Sequence, residues 1–285
     1  MPLDQHDLIF CVGMAPHVPL LDRLSAAREA GYAAVSVLPQ EYRLLRESGL
    51  SDAEMRQRFA DEGMAIGELD GLAVWLPEQA PPPGFPKDLG RQLMEATPEA
   101  FVPIAAAMGA RSITAIEFFG VEVEVDRAVE AFAEVCDLAA NEGVLVHLEF
   151  LPWAGIPDLR MAWEIVRQAD RSNGGLLVDS WHLFRSGSTL DELRAIPGEK
   201  VLGVQLDDAP KKPETDLAEE TQHRRLIPSA GDLDLTGLVR TLDEIGSQSP
   251  MGVEVLSDDL SQQPVDAIAI ATFEATTQLL QSARG

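Results

Sequence analysis

Apolar and polar positions along the chain follow two alternating rhythms. Short runs rich in Val, Ile, Leu and Ala, each about the length of a strand, occur at residues 8–15, 33–39, 65–71, 112–119, 145–152, 175–180, 201–208 and 251–257. Longer stretches with helical spacing of apolar residues come between them, among them residues 20–30, 51–62, 97–108, 125–142, 158–169, 189–195, 235–245 and 265–282. Gly31, Gly63, Gly109, Gly143 and Gly246 stand at helix-to-strand joints, where a helix commonly ends on a left-handed residue. Repeated β-then-α units of this kind predict an α/β protein, a single closed (βα)8 TIM barrel over residues 1–285. A doubly wound open sheet would more often place G-x-G-x-x-G after its first strand, whereas here that strand leads into Gly13-Met14-Ala15-Pro16-His17.

The same alternation shows where chemistry concentrates. Side chains two apart on a strand share a face, so His147 and Glu149 of the fifth strand point the same way. The sixth, seventh and eighth strands each run through apolar positions to one polar residue near the C-terminal end: Asp179, Gln205 and Glu254. Closing the barrel gathers Glu149, Asp179, Gln205 and Glu254 around its C-terminal mouth, the end where active sites of this fold lie. Carboxylates crowded out of water must protonate, pair with bases or bind a cation. The strand ends carry no Lys or Arg, and the nearest bases, Arg185 and Arg224-Arg225, lie in loops. Three carboxylates and an amide carbonyl form an all-oxygen set suited to one hard divalent ion, Mn²⁺ or Mg²⁺. His182, just past Asp179, is a candidate substrate contact, and His147 a candidate catalytic group. Trp75, Trp153 and Trp181 read as packing groups, with a sugar-facing platform as the alternative. Two long connections, residues 77–86 (Pro-rich) and 208–231, fall on the same face as lid candidates.

Composition narrows the partners. The formal charge is −25, which argues against nucleic acid and anionic membranes, and 46% apolar residues over 285 positions suffice for a folded core. Cys11 and Cys136 are isolated in sequence, the first residues are acidic, and no apolar run is long enough to span a bilayer. A cytoplasmic enzyme with a small-molecule substrate is the expectation.

Val178-Asp179-Ser180-Trp181-His182, the stretch Arg225-Leu226-Ile227-Pro228-Ser229-Ala230-Gly231-Asp232 and Val253-Glu254-Val255 resemble the sugar phosphate isomerase/epimerase family of xylose-isomerase-like TIM barrels. That family includes ketose epimerases and inosose and dehydroshikimate dehydratases. The resemblance implies metal ligation by Glu149, Asp179 and Glu254, with Gln205 where a His is usual. It further implies that Arg225 and His182 contact substrate oxygens, with Ser229 replacing the first Gly of the family's Pro-Gly-x-Gly turn. A homodimer or tetramer is implied as well.

The chemistry expected of such a site is proton abstraction beside a metal-polarised carbonyl, with Glu149 and Glu254 as the paired acid and base. Reprotonation of the enediolate gives isomerisation or epimerisation of a small polyhydroxylated carbonyl compound, a sugar or cyclitol. Expulsion of a β-hydroxyl gives dehydration, the alternative, of the inosose or 3-dehydroshikimate dehydratase type. A non-catalytic binding subunit is the reading from a different class.

Overall fold

A computed structural model of the chain describes residues 3–77, 79–213 and 215–285. Met1, Pro2, Glu78 of the Pro-rich loop and Glu214 of the later loop lie outside the described residues. Among the described residues the strands form one closed parallel barrel in chain order: β1 (Leu8–Phe10), β2 (Ala34–Val37), β3 (Ala65–Leu72), β4 (Ser112–Ile116), β5 (Leu145–Glu149), β6 (Gly174–Asp179), β7 (Val201–Leu206) and β8 (Met251–Val253). β8 returns to β1 through Leu8↔Met251 and Phe10↔Val253, so no strand edge is left open. The fold is the (βα)8 TIM barrel expected from the pattern.

Alternation along the strands sorts the side chains. Val146, Leu148, Leu176, Val178, Val204 and Leu206 join the apolar layer between sheet and helices. Their neighbours His147, Glu149, Asp179 and Gln205 are buried too but stand outside that layer, on the barrel's interior face. Apart from β3, which runs on to Leu72, the strands end earlier than the apolar runs because the rim leaves the ladder for loops. Residues Val12–Met14 coil into a short 3₁₀ turn, with the Val12 N–H on Ser36 Oγ at 2.8 Å. Glu254, one residue past β8, still donates its N–H to the Leu206 carbonyl at 3.1 Å and so holds the last rung.

Local signals place the helices as expected. Ser51 with Glu54 and Thr189 with Glu192 form capping boxes, and Asp158 caps the helix Leu159–Ala169. All five glycines expected at helix ends adopt positive φ. The Pro-rich connection leads into the helix Lys87–Met94, and residues 208–231 contain the helix Leu217–His223. The later loop is therefore partly helical, and the Pro-rich one ends at a helix N-terminus. No helix among the described residues is long and apolar enough to cross a membrane.

The turn after Pro228 departs from a glycine pattern and keeps the backbone that glycine would serve: Ser229 sits at φ 71°. A Cβ in that region costs about 1–2 kcal/mol. Ser229→Gly is thus expected to stabilise the protein by about 1 kcal/mol, measured as a higher urea midpoint at unchanged slope. An unchanged or lower midpoint would mean that the Ser229 side chain repays its strain.

Candidate active site

Asp179 ends β6 and caps the helix Ser180–Arg185, accepting the His182 N–H at 2.8 Å. One carboxyl oxygen is thereby fixed, and the following turn delivers His182 to the mouth. The His182 Nε2 atom lies 3.4 Å from Glu149 Oε1. One donor atom each from Glu149, Asp179 and His182 falls within 4.8 Å of the others. Gln205 is the ladder neighbour of Asp179, and Glu254 closes the ring from β8.

The loop basic residue is not remote. Asp208 and Leu226 form one isolated bridge and Arg224 and Ser257 another, folding the long loop back across the rim and driving Arg225 inward to 2% exposure. Its Nη1 donates to Asp179 Oδ2 at 2.8 Å and Asp207 Oδ2 at 2.6 Å, and lies 3.6 Å from Glu254 Oε2. Nε donates to the Thr221 carbonyl at 3.0 Å, and Nη2 to Thr221 Oγ1 at 2.8 Å and to His182 Nε2 at 3.2 Å. A guanidinium has five N–H groups, and all are taken. In this structure Arg225 holds the carboxylates together, and it reaches a substrate only by releasing one of its present partners.

That contact also sets the His182 tautomer. Arg225 can only donate, so Nε2 is the lone-pair nitrogen and Nδ1 carries the proton. Nδ1 is buried without a hydrogen-bond partner among the described residues. Trp181 is fully buried, with the guanidinium carbons of Arg225 and Arg185 at 5.6 and 5.9 Å from its ring centroid. Its indole N–H goes to Glu220 at 2.8 Å, and the Trp75 indole N–H goes to the Ile116 carbonyl at 2.9 Å. Both rings are framework. Trp153, half-buried, packs with its ring centroid 5.5 Å from that of His182.

His147 lies apart from this group. It is fully buried, with Nε2 2.9 Å from Ser112 Oγ and 4.0 Å from Glu68 Oε1. Burial holds it neutral, with its pKa lowered to about 3 and Arg111 adding to the effect. Nε2 of His147, the group expected to be catalytic, is engaged by β4, while its Nδ1 is buried without a hydrogen-bond partner among the described residues.

Three acids outside the expected set also border the mouth. Asp207 is two residues beyond Gln205 and fully buried, held by Ser180 Oγ and Arg225. Glu68 and Asp70 on β3 repeat the spacing of His147 and Glu149, a signal that was available.

Electrostatics at the mouth is dominated by burial. It raises Glu149 well above the ordinary carboxylate range, with Glu254, Asp179 and Asp70 pushing the same way against Arg225. It likewise raises Glu254 against the pull of Arg225, and Asp207 with Asp179 adding to it. Glu68 is pushed up to about 8 and Asp70 to about 6, again mainly by burial. His182 falls to about 3 for the same reason. A carboxyl raised in the folded state contributes stability at low pH and loses it as pH climbs through the folded value. A histidine lowered in the folded state opposes this only below its unfolded value of 6.5. Metal-free protein should therefore lose stability steadily from about pH 6.5 to beyond 8, and Mn²⁺ should flatten the slope. Melting temperatures across that window with EDTA and with Mn²⁺ test this. A metal-free profile that rises with pH would contradict the arrangement.

A divalent cation fits these residues. One guanidinium faces Glu149, Asp179, Asp207 and Glu254, both nearby histidines are neutral, and Gln205 Oε1 is buried with no hydrogen-bond partner. Glu149 Oε1, 3.4 Å from the His182 Nε2 whose lone pair Arg225 already takes, is a further oxygen that needs a proton or a cation near it.

Comparison with known proteins follows the same line. A family model described as a xylose isomerase-like TIM barrel matches residues 24–278. A 3-dehydroshikimate dehydratase of Pseudomonas putida is 26% identical over 252 residues, covering 86% of this chain and 37% of that protein. An inosose isomerase of Bacillus subtilis is 31% identical over 152 residues, covering 53% of each. The chain thus spans little more than half the length of these curated relatives, or less. A crystal structure of the IOLI protein with a zinc atom superposes with a TM-score of 0.84 at 20% identity, covering 97% of this chain and 99% of the other, a likeness of fold.

Proposed function

Because the chain belongs to the xylose isomerase-like TIM-barrel family, we propose that it is a divalent-metal-dependent isomerase or epimerase of a small polyhydroxylated carbonyl compound. The observation that carries this reading is the convergence of Glu149, Asp179 and Glu254 on a buried mouth where, among the described residues, Arg225 is the one guanidinium paired with the carboxylates of that set and Gln205 Oε1 has no hydrogen-bond partner. Glu149, Asp179, Gln205 and Glu254 would hold the cation. When bound, it supplies Lewis-acid polarisation of the substrate carbonyl. The oxygen-rich set favours Mn²⁺ or Mg²⁺, and the zinc in the IOLI structure supports a divalent ion in general terms.

The chain's own residues then carry the proton. A carboxylate oxygen of Glu149 or Glu254 takes it from the carbon beside the carbonyl, and the other returns it. His182 offers its Nδ1–H to a substrate oxygen, held in that tautomer by Arg225. Low exposure of Glu149, Asp179 and His182 keeps bulk water from the carbanionic stage.

Dehydration is the second reading, favoured by the dehydratase relative that aligns over 86% of this chain. In that case the His182 Nδ1–H is the group placed to protonate a departing hydroxyl.

The deciding experiment is solvent deuterium incorporation into ketoses, keto-inositols and dehydroshikimate with Mn²⁺ and with EDTA. The expected result is Mn²⁺-dependent exchange at the carbon beside the carbonyl, with water loss marking the dehydratase. Exchange in no compound, together with no thermal shift by any divalent ion, rules out the proposal.

A further inference from the structure

Beneath the carboxylates the barrel interior holds a second polar layer that the proton transfer leaves unused. Glu68 and Gln205 are each 1% exposed, and the Gln205 Nε2 atom donates to Glu68 Oε2 at 3.3 Å. Its other contact is the Cys11 sulfur at 3.9 Å, a weak acceptor. His147 does not compete. Its Nε2 is engaged by Ser112 Oγ at 2.9 Å, whose own proton goes to the Gly67 carbonyl at 3.0 Å.

The close packing around Gln205 depends on Gly252. A Cβ there would sit 2.9 Å from Cys11 Sγ and 3.1 Å from Gln205 Cγ, displacing the side chain. An amide has one donating and one accepting end. Glu68 Oε2 takes the NH₂ end, and Oε1, which has no hydrogen-bond partner, is the oxygen left to carry a proton, so Oε2 accepts whether the carboxyl is ionised or protonated. The flipped amide would set two acceptors against each other and turn N–H groups toward the cation site. In the observed orientation the carbonyl oxygen is the free end, buried and unpartnered.

Resting on the metal-site reading above, we propose that Glu68 is a positioning residue that fixes the Gln205 amide so that its carbonyl oxygen is offered to the cation. A ligand held by a buried carboxylate behind it binds metal more tightly than one free to turn, by about 10–100-fold in comparable sites. Gln205 thereby serves as a neutral ligand with the same kind of carboxylate support that orients ligating histidines.

The test pairs two readouts on metal-free protein, Mn²⁺ titration by calorimetry and hydrogen exchange of the Gln205 side-chain NH₂ by NMR, assigned with Gln205→Ala. Glu68→Gln keeps an accepting oxygen and is expected to bind Mn²⁺ within about threefold of the native protein, while Glu68→Met, of similar length without an acceptor, weakens binding by about 10–100-fold. The Gln205 NH₂ is expected to exchange slowly in the native protein and in Glu68→Gln, and rapidly in Glu68→Met. Native-like Mn²⁺ affinity or NH₂ protection in Glu68→Met overturns the proposal, as does a Glu68→Gln loss equal to that of Glu68→Met. A native protein that binds no Mn²⁺ overturns the cation reading itself, and the NH₂ protection then separates that failure from failure of Glu68 to hold the amide.

Discussion

Glu149→Gln and Glu254→Gln are each expected to lower kcat by about 10²–10⁴-fold, the usual worth of a positioned acid or base, while the fold persists. Both residues are nine-tenths buried or more, and burial raises both. Replacing either with an amide of the same shape substitutes a neutral group for a buried acid whose ionisation burial already opposes, without opening a cavity. The metal-free melting temperature should therefore hold steady or rise, which separates loss of chemistry from loss of structure. Weaker Mn²⁺ binding is expected in both, so kcat is to be measured at saturating Mn²⁺. Near-native turnover by either variant at saturation would falsify the paired-carboxylate mechanism.

The barrel and most of this site were legible in the chain because a strand's period of two is a strong signal. Val178-Asp179 and Val253-Glu254-Val255 announce an acid after apolar residues, and parallel barrel closure does the rest. Asp207 shares a face with Gln205 but lies one residue beyond the end of β7, so a pattern with one inward polar residue per strand end stops short of it. The place of Arg225 was not legible from pattern. It depends on the bridges Asp208↔Leu226 and Arg224↔Ser257, long-range pairings with no local signature. The helices Lys87–Met94 and Leu217–His223 were missed for a related reason. Each is short and lies within a segment whose Pro-rich or polar composition reads as loop.

Arg225→Met should produce the largest loss of stability of any change at the site. Arg225 is 2% exposed and Asp179 and Asp207 are fully buried, so removing the guanidinium strands two carboxylates in the interior. Breaking a buried ion pair from one side costs about 3–5 kcal/mol, against a total stability of about 5–15 kcal/mol for a typical domain. Metal-free Arg225→Met is thus expected to sit near the edge of unfolding at neutral pH. Two interventions should restore part of the loss. Mn²⁺ supplies positive charge to the same carboxylates, and Asp207→Asn in the same chain removes one of the charges left behind, so the double variant should be more stable than Arg225→Met alone. Arg225→Lys is expected to fall between, since three donors on one nitrogen cannot replace five arranged along a fork. Urea unfolding of these four proteins with EDTA and with Mn²⁺ reads out the whole set. Equal stability of Arg225→Met and the native protein, or no recovery in the double variant, would show that Arg225 is not what holds the mouth together.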